Sequence, residues 1–253
     1  MPRKKTKFRV KCTASGLTDI GKYRSNNEDA YCILNNKRSV THLYAVADGM
    51  GGHAAGEVAS SITIKDIEGF FTSIGNVSVS VDSVENVINQ INKHIYDTAS
   101  TNPEFLGMGN TLSLLVIKNH KFVIGHVGDS RIYRVRGKSL EQLTIDQTEV
   151  QAMIDAGQIS KEAARHHPFR NLIRQAMGVQ PILDEIFLLE GEVLKKDQYL
   201  LCSDGLTDML EDGEIKKILQ KSESTDDAVT TLVNKALEAG GRDNVTAIVV
   251  RID

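Results

Sequence analysis

Leu43-Tyr44-Ala45-Val46-Ala47-Asp48-Gly49-Met50-Gly51-Gly52 is a short apolar run that ends in a carboxylate and glycines. The apolar half reads as a buried strand. The polar half reads as a tight turn at its tip, because glycine tolerates backbone conformations that other residues avoid. A carboxylate beside a freely turning carbonyl is an oxygen donor set of the kind a hard divalent cation accepts.

The same arrangement recurs twice. Tyr199-Leu200-Leu201-Cys202 runs into Ser203-Asp204-Gly205, and Phe122 to Val127 runs into Gly128-Asp129-Ser130. Three aspartates at three strand ends suggest one shared acidic site.

Further strand-like runs, rich in Val, Ile, Leu and Tyr, are Leu112 to Lys118, Ile132 to Val135, Ile186 to Leu189 and Val245 to Ile252. Phe8 to Cys12 alternates like a half-buried first strand. The short Gly128-Arg131 link between two apolar runs predicts a hairpin, and so antiparallel pairing. Helical periodicity spans Gly56 to Phe71, Asp82 to Ala99, Glu214 to Gln220 and Thr225 to Ala239. Asp82 and Glu85 stand at capping-box spacing, and Gly240-Gly241 stops the last helix. Thr148 to Arg165 reads as two short helices broken at Gly157, with Ser160 capping the second. Helices and strands do not alternate regularly, which predicts an α+β fold rather than a doubly wound parallel one.

The chain has 253 residues and 41% apolar content, enough for one large core. No run approaches the ~20 apolar residues of a membrane span. Met1 to Lys11 carries six basic residues and no apolar core, so it is not a secretory signal. The rest of the chain is acidic, which argues against a nucleic-acid surface and leaves the first residues as a solvated basic tail. Cys12, Cys32 and Cys202 are scattered and lack metal-ligand spacing, so free thiols are expected. Zinc is disfavoured for the same reason.

Four segments concentrate the chemistry: Asp19 to Asp29, Asp48 to His53, Ser203 to Asp208 and Gly241 to Thr246. Each alone is a weak signal, since Asp-Gly is first of all a turn. Together, in this order, and with Gly125-His126-Val127-Gly128-Asp129-Ser130-Arg131 as a fifth, they resemble the metal-dependent Ser/Thr protein phosphatases of the type 2C (PPM) family. Met50 and His53 in the glycine turn resemble the bacterial branch.

The resemblance implies a four-layer αββα sandwich of two antiparallel sheets flanked by helices. It implies one domain over 1–253, with 1–7 as a basic tail and 144–178 as a flap beside the site. It implies hydrolysis of phosphoserine and phosphothreonine on proteins by water, with two Mn²⁺ or Mg²⁺ ions and room for a third. By the same likeness, Asp48 would bridge two metals and the Gly49 carbonyl would bind one of them. Asp204 and Asp243 would complete the ligands of the first ion, and Asp29 would serve the second, directly or through water, with Glu28 adjoining. Asp129 matches a position that helps hold a third ion. Arg24 would grip the substrate phosphate through two parallel hydrogen bonds, which lysine cannot copy. Asn244 would support the ligands. The implied partners are phosphorylated Ser/Thr proteins, including an opposing Ser/Thr kinase, in the cytoplasm, with the chain a monomer and no nucleic acid bound.

Blander readings stand beside several of these. Asp129 could close a hairpin, and Arg24 could form a surface ion pair. His53 is either near the phosphate or capping the helix that follows. His126 reads as structural. Cys202 lacks the Arg of a Cys-x5-Arg loop, so a buried thiol is expected. Asp146-Gln147-Thr148 departs from the Asp-His-Ser common in the family. A catalytically silent phosphoprotein-binding relative is the alternative function.

Overall fold

Successive residues of β3 (Thr41–Met50) point opposite ways, and their two faces meet different cores. Leu43, Ala45 and Ala47 join a cluster with α1 (Ala55–Ile74) and α2 (Val81–Thr101). Tyr44 and Val46 join a second cluster with Tyr199, Leu201, Ile248 and Val250 of another sheet. This two-sided burial is why the strand is apolar without a break. The computed structural model describes residues 10–36, 41–51, 55–74 and 79–253.

One sheet has the order β2 (Asp29–Asn36), β3, β5 (Leu112–Lys118), β6 (Lys121–Val127), β9 (Phe187–Glu192). The two-residue β4 (Gly109–Asn110) pairs with the end of β3. The other sheet runs β1 (Cys12–Asp19), β11 (Val245–Ile252), β10 (Gln198–Cys202), β7 (Arg131–Arg136), β8 (Ser139–Gln142). Every ladder is antiparallel. A third cluster packs α6 (Asp212–Lys221) and α7 (Thr225–Glu238) on the second sheet through Ile215, Leu219, Val229, Leu232 and Val233. Helix, sheet, sheet and helix thus stack with a core at each junction, the four-layer αββα sandwich that the motifs implied.

Four local expectations change. Strand β1 covers Cys12–Asp19, beyond the expected run of Phe8 to Cys12, of which Phe8 and Arg9 lie outside the described residues; its small polar residues hid its length. Helix α2 starts earlier than Asp82, with Ser80 and Ser83 forming the reciprocal capping box in place of Asp82 and Glu85. Helix α7 is capped by Ser224 and not by Thr225, the first residue of the expected helix; the Ser224 side chain accepts from the Asp227 N–H at 3.0 Å. The largest change is at Gly128-Arg131, which is not a hairpin: β6 pairs with β5 and β9, while β7 pairs with β10 and β8. Gly128, at φ +103°, sends the chain from one sheet into the other, a turn that a side chain would strain.

Segment 144–178 holds α3 (Glu149–Asp155) and α4 (Lys161–Arg165), separated at Gly157 with φ +69° and capped by Thr148 and Ser160. Among the described residues no helix is long and apolar enough to cross a membrane. The tail 1–7 lies outside the described residues.

Candidate active site

The strand ends converge at one edge of the two sheets. The β2–β3 register sets Asp29 directly opposite Asp48. Like charges facing each other across a ladder are destabilising, so this pairing needs an external reason. Short helix α5 (Asp204–Thr207) begins where β10 ends and brings Asp204 in from the second sheet. Asp129 arrives on the sheet-crossing turn, and Asp243 on the approach to β11.

Burial lifts the carboxyl groups of Asp48 and Asp204 well above the usual carboxylate range. Neighbouring charges lift them further. Asp29, Asp204, Asp129 and Asp243 act on Asp48, and Asp129, Asp208, Asp243 and Asp29 act on Asp204. Burial likewise pushes Asp29 up to about 6, although hydroxyl donors oppose the shift. Asp129 rises to about 7 through burial and then the charge of Asp146. These groups resist ionising together because each charge is desolvated beside others of its own sign.

Hydrogen bonding fixes their directions. Ser203 Oγ donates to Asp29 Oδ2 at 2.8 Å, and Thr246 Oγ1 donates to the same oxygen at 2.6 Å. Asp29 Oδ1 and Asp129 Oδ1 are buried with no hydrogen-bond partner among the described residues. The Asp48 carbonyl accepts the Thr111 N–H at 2.8 Å, and the Asp48 N–H donates to Thr111 Oγ1 at 3.2 Å. Among the described residues no three His, Cys, Asp or Glu side chains stand close enough together to enclose a metal ion as placed. The carboxylates share one electrostatic field without closing on one point.

Backbone packing around them is tight. Gly49 donates its N–H to the Glu28 carbonyl at 3.1 Å. A Cβ there would collide with the Gly56 carbonyl and stand 2.6 Å from the Glu28 oxygen. A Cβ on Gly205 would collide with the Asn244 carbonyl. Asn244 joins the loop after β1 to β11: its Oδ1 accepts the Glu28 N–H at 2.8 Å, and its Nδ2 donates to the carbonyls of Ile20 at 2.9 Å and Asn26 at 3.0 Å.

The profile of the family described as protein phosphatase 2C matches residues 22–242. The chain belongs to that family. Protein phosphatase PhpP of Streptococcus pneumoniae is 35% identical over 94% of this chain and 96% of its own length. Among protein phosphatase 2C relatives of known structure, serine/threonine phosphatase Stp1 from Staphylococcus aureus is 34% identical, with a TM-score of 0.89 and full coverage of both chains. The catalytic domain of serine threonine protein phosphatase PstP, in complex with two manganese ions, is 33% identical with a TM-score of 0.82, covering 97% of this chain and 99% of that one.

Set on this protein phosphatase 2C fold, the residues singled out in the sequence divide. Asp29, Asp48, Gly49, Asp129 and Asp204 lie at the common edge. Asp243 does too, but its Oδ2 accepts from Arg24 Nη2 at 2.6 Å. Arg24 therefore stands in an ion pair, its side chain about half exposed. His53 lies outside the described residues. Glu28 is held at the entrance to α1, its carboxylate against Gly56. His126 is fully buried between the Ser113 hydroxyl and the Gly128 carbonyl, each at 3.0 Å, and burial lowers its imidazole to about 4, so it is a neutral structural group. Cys202 is fully buried with its thiol pushed up to about 12, which makes it a poor nucleophile.

Sequence reading missed the groups that aim the carboxylates: Ser203, Thr246 and Thr111. The first two stood inside quoted motifs, as neighbours of Asp204 and Asn244. Gln147 was noticed only as a departure. Its Oε1 accepts the Gly128 N–H at 2.8 Å, and its own N–H donates to the Gly128 carbonyl at 2.8 Å. It thereby ties segment 144–178 to the turn that carries Asp129.

Proposed function

We propose that this protein hydrolyses phosphoserine and phosphothreonine esters on proteins with two Mn²⁺ or Mg²⁺ ions, and that Asp129 helps to hold a third. The observation that carries the reading is the convergence of Asp29, Asp48, Asp129 and Asp204 from separate segments, with buried oxygens on Asp29 and Asp129 that have no hydrogen-bond partner among the described residues. Buried unpaired carboxylate oxygens are costly unless a cation answers them. The donor set is oxygen throughout, which fits Mg²⁺ or Mn²⁺ and not zinc.

In this reading Asp48 would help to hold both ions and the Gly49 carbonyl one of them, Asp204 and Asp243 would complete one, and Asp29 the other. Bound there, the ions would supply positive charge and a lowered water pKa for displacement at phosphorus. The chain's own groups orient the site. Ser203 and Thr246 fix one oxygen of Asp29 and leave the other buried without a hydrogen-bond partner among the described residues. Arg24 would present its fork to the phosphate oxygens, which requires it to leave Asp243. Asn244 holds the Arg24 loop against β11, so the guanidinium approaches from a fixed direction.

The names of the relatives, serine/threonine phosphatases, support this substrate class. The same reading makes 1–253 one phosphatase domain with 144–178 as its flap, acting as a cytoplasmic monomer against a Ser/Thr kinase. The deciding experiment is phosphate release from phosphothreonine and phosphotyrosine peptides by wild type and Asp204→Ala, with Mn²⁺ and with chelator. The expected result is Mn²⁺-dependent release, preference for phosphothreonine, and loss in the variant. No metal-dependent turnover by wild type would favour the silent phosphoprotein-binding alternative. Equal activity in the variant would refute the role of Asp204.

A further inference from the structure

A cleft of about 380 Å³ opens beside the carboxylates, lined by Arg165, His166, Arg170, Arg242, Asp208 and Glu211. It shares α5 with the site, because the Asp208 N–H donates to the Asp204 carbonyl at 2.7 Å. On its other side Arg242 directly precedes Asp243, just after the Gly240-Gly241 turn that ends α7. The Gly241 carbonyl accepts the Lys22 N–H at 2.7 Å, which fixes this turn against the Arg24 loop.

The charges in the cleft are unevenly answered. Arg165 faces Glu211 at 3.0 Å and the carbonyls of Thr207 and Leu210 at 3.3 and 3.5 Å. Arg170 faces Asp208 at 3.8 Å. Arg242 is exposed and has no acidic partner among the described residues. An exposed arginine on a turn is usually just a solvated charge. This one lies in a concave site one residue from a candidate metal ligand, with His166 beside it and two further guanidinium groups balancing the cleft's own carboxylates.

We propose that this cleft is a subsite for an acidic side chain of the substrate polypeptide, a few residues from the phosphorylated Ser or Thr, with Arg242 as the group that recognises it. The proposal rests on the phosphatase reading above and narrows its substrate class to acidic phosphopeptides. An anion placed there would meet the one guanidinium of the cleft that has no acidic partner among the described residues. Its effect would fall on peptide affinity and capture, not on the chemistry at phosphorus.

The test uses phosphothreonine peptides of one neutral frame, with Glu or Lys placed in turn at each of the four positions on either side. Wild type, Arg242→Ala and Arg242→Glu are compared by the Glu-to-Lys ratio of kcat/KM, which cancels any general loss of activity. Wild type is expected to show a ratio of about five to ten at one position, through KM, shrinking as salt rises. Arg242→Ala should bring the ratio near one, and Arg242→Glu should invert it. A flat wild-type profile, or a preference that survives in Arg242→Glu, overturns the subsite. p-Nitrophenyl phosphate carries no flanking residues and separates the two readings. If wild type hydrolyses it with Mn²⁺ while the peptide profile is flat, only the subsite fails; if wild type leaves it intact, the phosphatase reading falls and takes the subsite with it.

Discussion

Replacing Asp29 with Asn should make the metal-free protein more stable at neutral pH, although the substitution removes a charged group from the candidate site. Asp29 is 8% exposed and sits opposite Asp48, and its carboxyl rises from 3.8 to about 6. A carboxyl raised in the folded state favours folding while protonated, and that advantage is lost as pH climbs from the unfolded value through the folded one. Lifting the group to about 6 corresponds to about 3 kcal/mol against folding once it is fully ionised. Asn keeps an acceptor for the Ser203 and Thr246 hydroxyls, and its new N–H₂ is a donor facing Asp48 across the ladder. The gain of Asp29→Asn should be about 3 kcal/mol at pH 7.5 and about 1 kcal/mol at pH 4.5. Urea unfolding in chelator at the two pH values measures it. A variant less stable than wild type at pH 7.5, or a gain that does not shrink with acid, would refute the view that burial, with the charge of Asp243, holds Asp29 against ionising. With saturating Mn²⁺ the order should reverse, because wild type then gains the binding free energy that the variant has lost.

Three further outcomes are expected. Arg24→Lys should lower kcat/KM for a phosphothreonine peptide by about ten- to a hundredfold while the protein still folds, because an ammonium cannot make two parallel bonds to phosphate; unchanged kinetics would return Arg24 to the role of a surface ion pair. Asn244→Ala should cost about 2–4 kcal/mol in urea unfolding, since its buried carboxamide makes three hydrogen bonds between separate loops, and a loss well under 1 kcal/mol would contradict that part. Mn²⁺ at about a hundred times its dissociation constant should raise the unfolding free energy by about 2.7 kcal/mol, read as a chelator-reversible shift in thermal midpoint, and no shift would argue against a metal centre.

Much of the fold was legible because periodicity in this chain is clean. Leu112 to Lys118 and Val245 to Ile252 are strands over the expected residues, and the break at Gly157 falls between two short helices. What misled was local resemblance. Gly128-Arg131 has the length of a hairpin turn, but Val127 is paired with Leu112 and Arg131 with Cys202, in different sheets. No property of four residues says which sheet the next strand will enter. Ser80 was passed over as a cap because Asp82 and Glu85 met the same spacing rule two residues later. The carboxylates themselves stood out as Asp-Gly steps after apolar runs. Their supports did not, since Ser203, Thr246 and Thr111 are ordinary hydroxyl residues until Asp29 and Asp48 are brought against them.

The amino-acid sequence alone determined the chemistry on offer: hard oxygen donors on glycine turns, strands apolar on both faces, and no cluster of nitrogen or sulfur ligands. Those are properties of residue type and short-range order, and chain neighbours suffice to express them. Tertiary structure decided which donors share a field, that Asp29 faces Asp48, that Arg24 lies on Asp243, and that Arg242, beside the site, has no acidic partner among the described residues. These depend on strand register and on contacts between residues as far apart in the chain as Arg24 and Asp243, where a shift of one position would turn a carboxylate to the other face of its sheet.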